Sequence, residues 1–168
     1  MAQGHPEPAS AHERRRAMNQ PSLFGDGPVG SATANIDGGS RGNPGPAAYG
    51  VRIEQADGTI VDLKQALEPC TNNVAEYKGL LAALHWAVEH GVKSLRVRSD
   101  SELLVKQMRG EYRVKNPGLE PPYEEARSLA RRIGNVTFEH VRRELNQDAD
   151  RLANEAMDEA EGITGSLE

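Results

Sequence analysis

Apolar and polar residues alternate along three stretches in the first half of the chain: residues 33–38, 48–54 (AYGVRIE) and 59–67. A period of two predicts three strands. Asp57-Gly58 lies between the second and third and is a hairpin dipeptide, so the strands form an antiparallel meander. The period then changes. Tyr77, Leu80, Leu81, Leu84 and Val88 recur at helical spacing, which predicts a helix over residues 73–90 that Gly91 ends. Ser94 to Ser99 (SLRVRS) reads as a fourth strand that closes at Asp100, and a helix follows through Met108. Residues 110–122 read as a loop. Ala126, Leu129, Ala130 and Ile133 form the apolar stripe of a helix over residues 123–133. Asn135 to Val141 is the fifth strand. Asn146 caps a last helix to Ala160, with Ala149, Leu152, Ala153 and Ala156 turned inward. The order is βββ-α-β-α-α-β-α, without internal repeats. A helical crossover between the meander and the fourth strand makes strands one and four parallel. The expected fold is α/β, a five-stranded mixed sheet with helices on both faces.

Length and composition narrow the picture. The chain has 168 residues, 37% hydrophobic and 27% charged, which suits one soluble domain. Residues 1–32 are rich in Pro, Gly, Ala and Ser and read as a flexible tail, residues 33–160 as the domain, and residues 161–168 as a frayed end. Arg14-Arg15-Arg16 reads as a solvated triplet. A net charge of −5 argues against nonspecific nucleic-acid binding by the whole surface. A local patch is left, since Lys106, Arg109, Arg113 and Lys115 face one acid, Glu111. No apolar run reaches membrane-spanning length, and the first thirty residues lack the apolar core of a signal peptide. Cys70 is the only cysteine, which excludes an intrachain disulfide and a cysteine-based zinc site. A cytoplasmic monomer is expected.

Four carboxylates carry the candidate chemistry. Asp37 ends the first strand and is followed at once by Gly38, Gly39 and Gly42, which let backbone approach a ligand closely. Taken alone, Asp37 reads as the cap of a turn. Glu76 reads alone as half of a capping box with Asn73, and Asp100 as a helix-N-terminal acid beside a Ser99–Glu102 box. Asp150 sits in the first turn of the last helix, where acids are ordinary. The topology nevertheless brings all four to one end of the sheet. Two unit charges 4 Å apart repel by roughly 4 kcal/mol at an effective dielectric near 20, so such a cluster needs a counter-charge. Hard oxygen donors without Cys or clustered His point to two Mg²⁺ ions, with Mn²⁺ able to substitute, and away from Zn²⁺.

The motifs that hold these acids are Asp37-Gly38-Gly39-Ser40-Arg41-Gly42-Asn43-Pro44-Gly45-Pro46, Thr71-Asn72-Asn73-Val74-Ala75-Glu76, Ser99-Asp100-Ser101 and Asn146-Gln147-Asp148-Ala149-Asp150-Arg151-Leu152-Ala153. In this order the chain closely resembles type 1 ribonuclease H, over about residues 34–160. The resemblance implies an endonuclease that hydrolyses the RNA strand of RNA–DNA hybrids and leaves 3′-hydroxyl and 5′-phosphate ends. It implies that Asp37, with Gly38 beside it, bridges two metal ions, that Glu76 holds one near the RNA 2′-hydroxyl, that Asp100 positions the attacking water, and that Asp150 completes the second ion's shell. It further implies that the Gly38–Asn43 turn (Gly38, Gly39, Ser40, Arg41, Asn43), Asn72 and Glu102 read the RNA minor groove through 2′-hydroxyls, and that Asn43, Thr71 and Asn73 grip the DNA strand.

Three positions depart from the family pattern. The loop before Tyr123 is short and only modestly basic, where well-studied bacterial members carry a basic protrusion. Val74 stands where some members have an Arg on the DNA phosphate. After the fifth strand the chain reads Val141-Arg142-Arg143-Glu144-Leu145-Asn146, without the mobile catalytic His of many members, and Arg143 takes that neighbourhood. His140 lies on the strand itself and is given no catalytic role. Two alternatives follow: a broader ribonuclease that also cuts double-stranded RNA, and a weakly catalytic hybrid-binding module.

Overall fold

The computed structural model describes residues 30–162. Its strands are β1 (Ser31–Ser40), β2 (Gly45–Gln55), β3 (Ile60–Cys70), β4 (Ser94–Ser99) and β5 (Asn135–His140), and its helices are α1 (Asn72–Glu89), α2 (Glu102–Met108), α3 (Glu120–Ile133) and α4 (Gln147–Ala160). They form one five-stranded sheet in the order β3-β2-β1-β4-β5. The β1–β2 and β2–β3 pairs are antiparallel, and the β1–β4 and β4–β5 pairs are parallel. The expected mixed topology is therefore present.

The period-two pattern sorts residues to the two faces. Ala34 and Ile36 on β1, Val51 and Ile53 on β2 and Leu95 and Val97 on β4 are buried in one cluster with Tyr77, Leu80 and Leu84 of α1 and Ala126 and Leu129 of α3. Truncating one of these leucines to Ala would cost roughly 2–5 kcal/mol. The buried phenol of Tyr77 donates to Gln107 Oε1 at 2.8 Å, which satisfies both polar groups. The opposite face packs on α4, where Ala48 is buried with Ala156 and Met157.

Several boundaries differ from the sequence expectation. β1 begins at Ser31, so the strand takes in two residues assigned to the tail; residues 1–29 of the tail, with Arg14–Arg16, lie outside the described residues. Of the expected frayed end, Glu161 and Gly162 form a turn and the remainder lies outside the described residues. β3 continues to Cys70. The expected loop over 110–122 contains a short 3₁₀ turn at Pro117–Leu119, and α3 starts at Glu120 with prolines in its first turn. Those positions need no intrahelical N–H, so Pro121-Pro122 starts the helix instead of delaying it. Among the described residues, no helix is long and apolar enough to cross a membrane.

Candidate active site

Ile36 and Ser99 are register partners on parallel strands. Asp37 and Asp100 each follow one of them, so the two carboxylates leave the same edge of the sheet side by side. Gly38 faces α1. A Cβ there would collide with the Ala75 carbonyl and would lie 2.6 Å from Glu76 N. Only glycine lets the first turn of α1 come this close to β1, and that approach brings Glu76 to the cluster. On the other face, Asp37 pairs with Gly50 of β2. A Cβ on Gly50 would strike the Ala149 carbonyl and would lie 2.6 Å from Ala153 N. The start of α4 therefore rests on bare backbone next to Asp37, and it carries Asp150.

Asn146 fixes the same junction. It stands at the N-cap position of α4 but makes no side-chain cap bond. Its amide is 1% exposed. Nδ2 donates to the Ile36 carbonyl at 2.8 Å, and Oδ1 accepts from Asn35 Nδ2 at 3.1 Å. The expected cap is thus a tie from α4 back to β1, one residue before Asp37.

The four acids act on one another. Asp37 is pushed up from 3.8 to about 8, first by burial, then by Asp100, by a hydrogen bond with Asp150 and by the charge of Glu76. Burial and the charge of Asp100 push Glu76 up to about 7 against a hydrogen bond from Ser101. Asp100 is raised by burial, opposed first by Arg143. Among the described residues, no three of these side chains already stand as a closed metal cage. An all-oxygen donor set in which Asp37, Glu76 and Asp100 resist ionisation fits hard divalent cations.

Capping differs from expectation. Thr71 caps α1 by accepting from Val74 N at 3.2 Å, which leaves Glu76 free of the predicted Asn73 box. Ser101, not Ser99, caps α2 by accepting from Leu104 N at 3.2 Å. Ser99 Oγ accepts from Ser101 N at 3.0 Å, and Glu102 pairs with Lys106 at 3.0 Å.

The glycine-rich turn is braced against α1. Ser40 N donates to Asn72 Oδ1 at 2.7 Å, and Asn72 N donates to Asn43 Oδ1 at 3.0 Å. Gly39 lies beside Asn72. Ser40, Asn43 and Asn72, all candidate substrate contacts, are therefore one unit. Asn73 opens onto a neighbouring groove of about 600 Å³ lined by Leu103, Tyr112, Arg113 and Lys115. The guanidinium of Arg41, another candidate substrate contact, is bound to Asp158 and Glu161 at the far end of α4. Arg143 Nε lies 3.7 Å from Asp100 Oδ2, with its side chain 85% exposed, while it is Arg142 that approaches Glu144. His140 is exposed at the end of β5.

A family model described as reverse transcriptase-like matches residues 35–156, and Ribonuclease HI of Halobacterium salinarum is 42% identical over 132 residues, 78% of this chain and 66% of that one. The chain belongs to the type 1 ribonuclease H family. The domain is also similar to the Bifunctional protein Rv2228c of Mycobacterium tuberculosis, 50% identical over 126 residues, which are 74% of this chain and 35% of that protein. It thus spans about a third of the length of that relative. The solved N-terminal RNase H domain of the same mycobacterial protein superposes with a TM-score of 0.75 at 46% identity, covering 80% of this chain and 98% of that one. The structure of LC11-RNase H1 in complex with RNA/DNA hybrid gives 0.73 at 41% identity, with 77% and 98% covered.

Proposed function

We propose that this ribonuclease H domain hydrolyses the RNA strand of RNA–DNA hybrids and leaves 5′-phosphate and 3′-hydroxyl ends. The observation that carries the reading is the group of four mutually acting acids, Asp37, Glu76, Asp100 and Asp150, at one sheet edge beside the braced glycine-rich turn. The related LC11 enzyme seen with RNA/DNA hybrid supports the substrate class.

The donor set suits Mg²⁺, with Mn²⁺ able to replace it: Asp37, Glu76, Asp100 and Asp150 would hold two such ions, which when bound supply the nucleophile and offset the charge on the leaving oxygen. Asp37, beside Gly38, would be the ligand common to both ions, since each of the other three acids acts on it. Asp100 would orient the attacking water, and Glu76 would lie near the RNA 2′-hydroxyl. Arg143, at the rim, offsets charge on the phosphate with a guanidinium that stays charged at every working pH. Asn43 and Asn72 use Oδ1 within the protein, so each offers Nδ2 to a ligand, Asn72 to 2′-hydroxyls and Asn43 to the DNA strand. Gly38, Gly39 and Ser40 present backbone to the RNA minor groove, and Glu102 contacts the same groove. Thr71 and Asn73 face the DNA strand, and the adjoining groove adds Arg113 and Lys115. A cytoplasmic monomer fits a chain with one cysteine and one such edge.

The test is cleavage of end-labelled RNA–DNA hybrid, double-stranded RNA and double-stranded DNA, each with Mg²⁺, Mn²⁺ or chelator. Rapid cutting of the hybrid's RNA strand alone supports the proposal. Equal cutting of double-stranded RNA would replace it with the broader ribonuclease, and hybrid binding without cutting would replace it with the binding module.

A further inference from the structure

Arg41 lies on the glycine-rich turn four residues after Asp37, and its guanidinium makes three bonds to one helix. Nη2 is 2.8 Å from Asp158 Oδ1, Nη1 is 2.9 Å from Glu161 Oε1, and Nη2 donates to Asn154 Oδ1 at 3.3 Å. Asn154 and Asp158 on α4 and Glu161 at its C-cap are spaced four and three residues apart, so they share one stripe. Asp150 begins that stripe, and Asn154 Nδ2 donates to the Asp150 carbonyl at 3.0 Å. The other side of the turn is tied to α1 through Ser40, Asn43 and Asn72. Arg41 N closes the turn on Pro46 O at 2.8 Å.

We infer that Arg41 is a positioning residue for the hydrolysis proposed above: its fork bolts the glycine-rich turn to α4, so that the turn, Asp37 and Asp150 keep one register. An exposed ion pair taken singly contributes about 0–1 kcal/mol, so the bolt has little weight as a source of global stability. Its weight is geometric. A planar guanidinium held by two carboxylates and an amide fixes direction as well as distance. The turn meets substrate on one side and the acids on the other, and small displacements of such a constellation cost turnover steeply. Both terminal nitrogens are engaged on α4, and the split between kcat and KM separates this role from direct substrate contact.

The experiment compares the parent with Arg41→Ala, Arg41→Lys, the pair Asp158→Asn with Glu161→Gln, and all three changes together, in steady-state hybrid cleavage at saturating Mg²⁺. The expected result is a kcat about three- to tenfold lower in Arg41→Ala, with KM within twofold of the parent and partial recovery in Arg41→Lys. The double acid variant should show the same loss, and the triple variant should be no worse than either, because all of them break one interaction. A raised KM with unchanged kcat, seen only when Arg41 is altered, would overturn the inference and assign Arg41 to the hybrid. An unchanged kcat in all variants would overturn it too. Amide hydrogen exchange of the same proteins needs no activity: Arg41→Ala and the double acid variant should both speed exchange at Ser40 and Gly42 relative to a control, Arg132→Ala, at an exposed position near the end of α3. Unchanged exchange there would refute the bolt even if the parent proved to cut nothing.

Discussion

Asp37→Asn keeps the volume and removes one charge from the centre of the acid cluster. In the folded protein the Asp37 carboxyl is held at about 8 against 3.8 ordinarily, with burial as the first cause. The folded state therefore keeps a proton that the unfolded chain releases. Stability contributed by this group is complete below about pH 4 and is lost as the pH rises towards 8. The full displacement corresponds to about 5–6 kcal/mol as a ceiling. Asp150, which bonds to Asp37, is exposed to water, so screening lessens the loss. About 1–3 kcal/mol should remain, and for a domain of this size that moves Tm by about 3–12 °C. The assay is calorimetric melting of parent and variant in chelator between pH 4.5 and 8. The two should melt together at the acid end, and Asp37→Asn should melt higher at pH 8. Saturating Mg²⁺ should close or invert the gap by binding the folded parent. A variant less stable than the parent at pH 8 in chelator, or a gap independent of pH, would refute the reasoning.

Asn146→Ala leaves the Ile36 carbonyl and the Asn35 amide without their buried partner and should cost about 1–3 kcal/mol in denaturant titration, with lower turnover because α4 loses its tie to β1. Gly50→Ala drives a methyl into the Ala149 backbone, which cannot yield as a side chain would, so melting should show a loss of about 1–3 kcal/mol or more. Arg143→Ala should lower kcat on hybrid by about tenfold with Tm nearly unchanged, since the side chain is 85% exposed and, among the described residues, forms an ion pair with Asp100 alone. Arg143→Lys should recover part of that turnover, because the charge is kept and the fork is lost.

The strand pattern, the long helix and the acid-bearing motifs were legible because each is written in adjacent residues. Tyr77, Leu80 and Leu84 sit where their spacing puts them. What was not legible depends on partners far away in sequence. Asn146 looks like a cap, yet its amide turns to Asn35 and Ile36, more than a hundred residues earlier. Arg41 sits within a motif of substrate contacts, yet its partners lie on α4. Capping failed for a different reason: Thr71, Asn72 and Asn73 are all good caps, and only the extended backbone at Thr71 selects one. Gly50 did leave a signal, since an isolated glycine inside a strand marks close backbone approach.

The most direct measurement pairs the parent with Asp100→Asn on end-labelled RNA–DNA hybrid, in Mg²⁺ and in chelator, with calorimetry to establish that the variant is folded. The account predicts that the parent cuts only the RNA strand and only with the ion, and that Asp100→Asn melts at least as high in chelator and binds the hybrid without cutting it. Cutting by the parent in chelator, or near-parental cutting by folded Asp100→Asn, would contradict the assignment of these four acids to a metal-dependent active site.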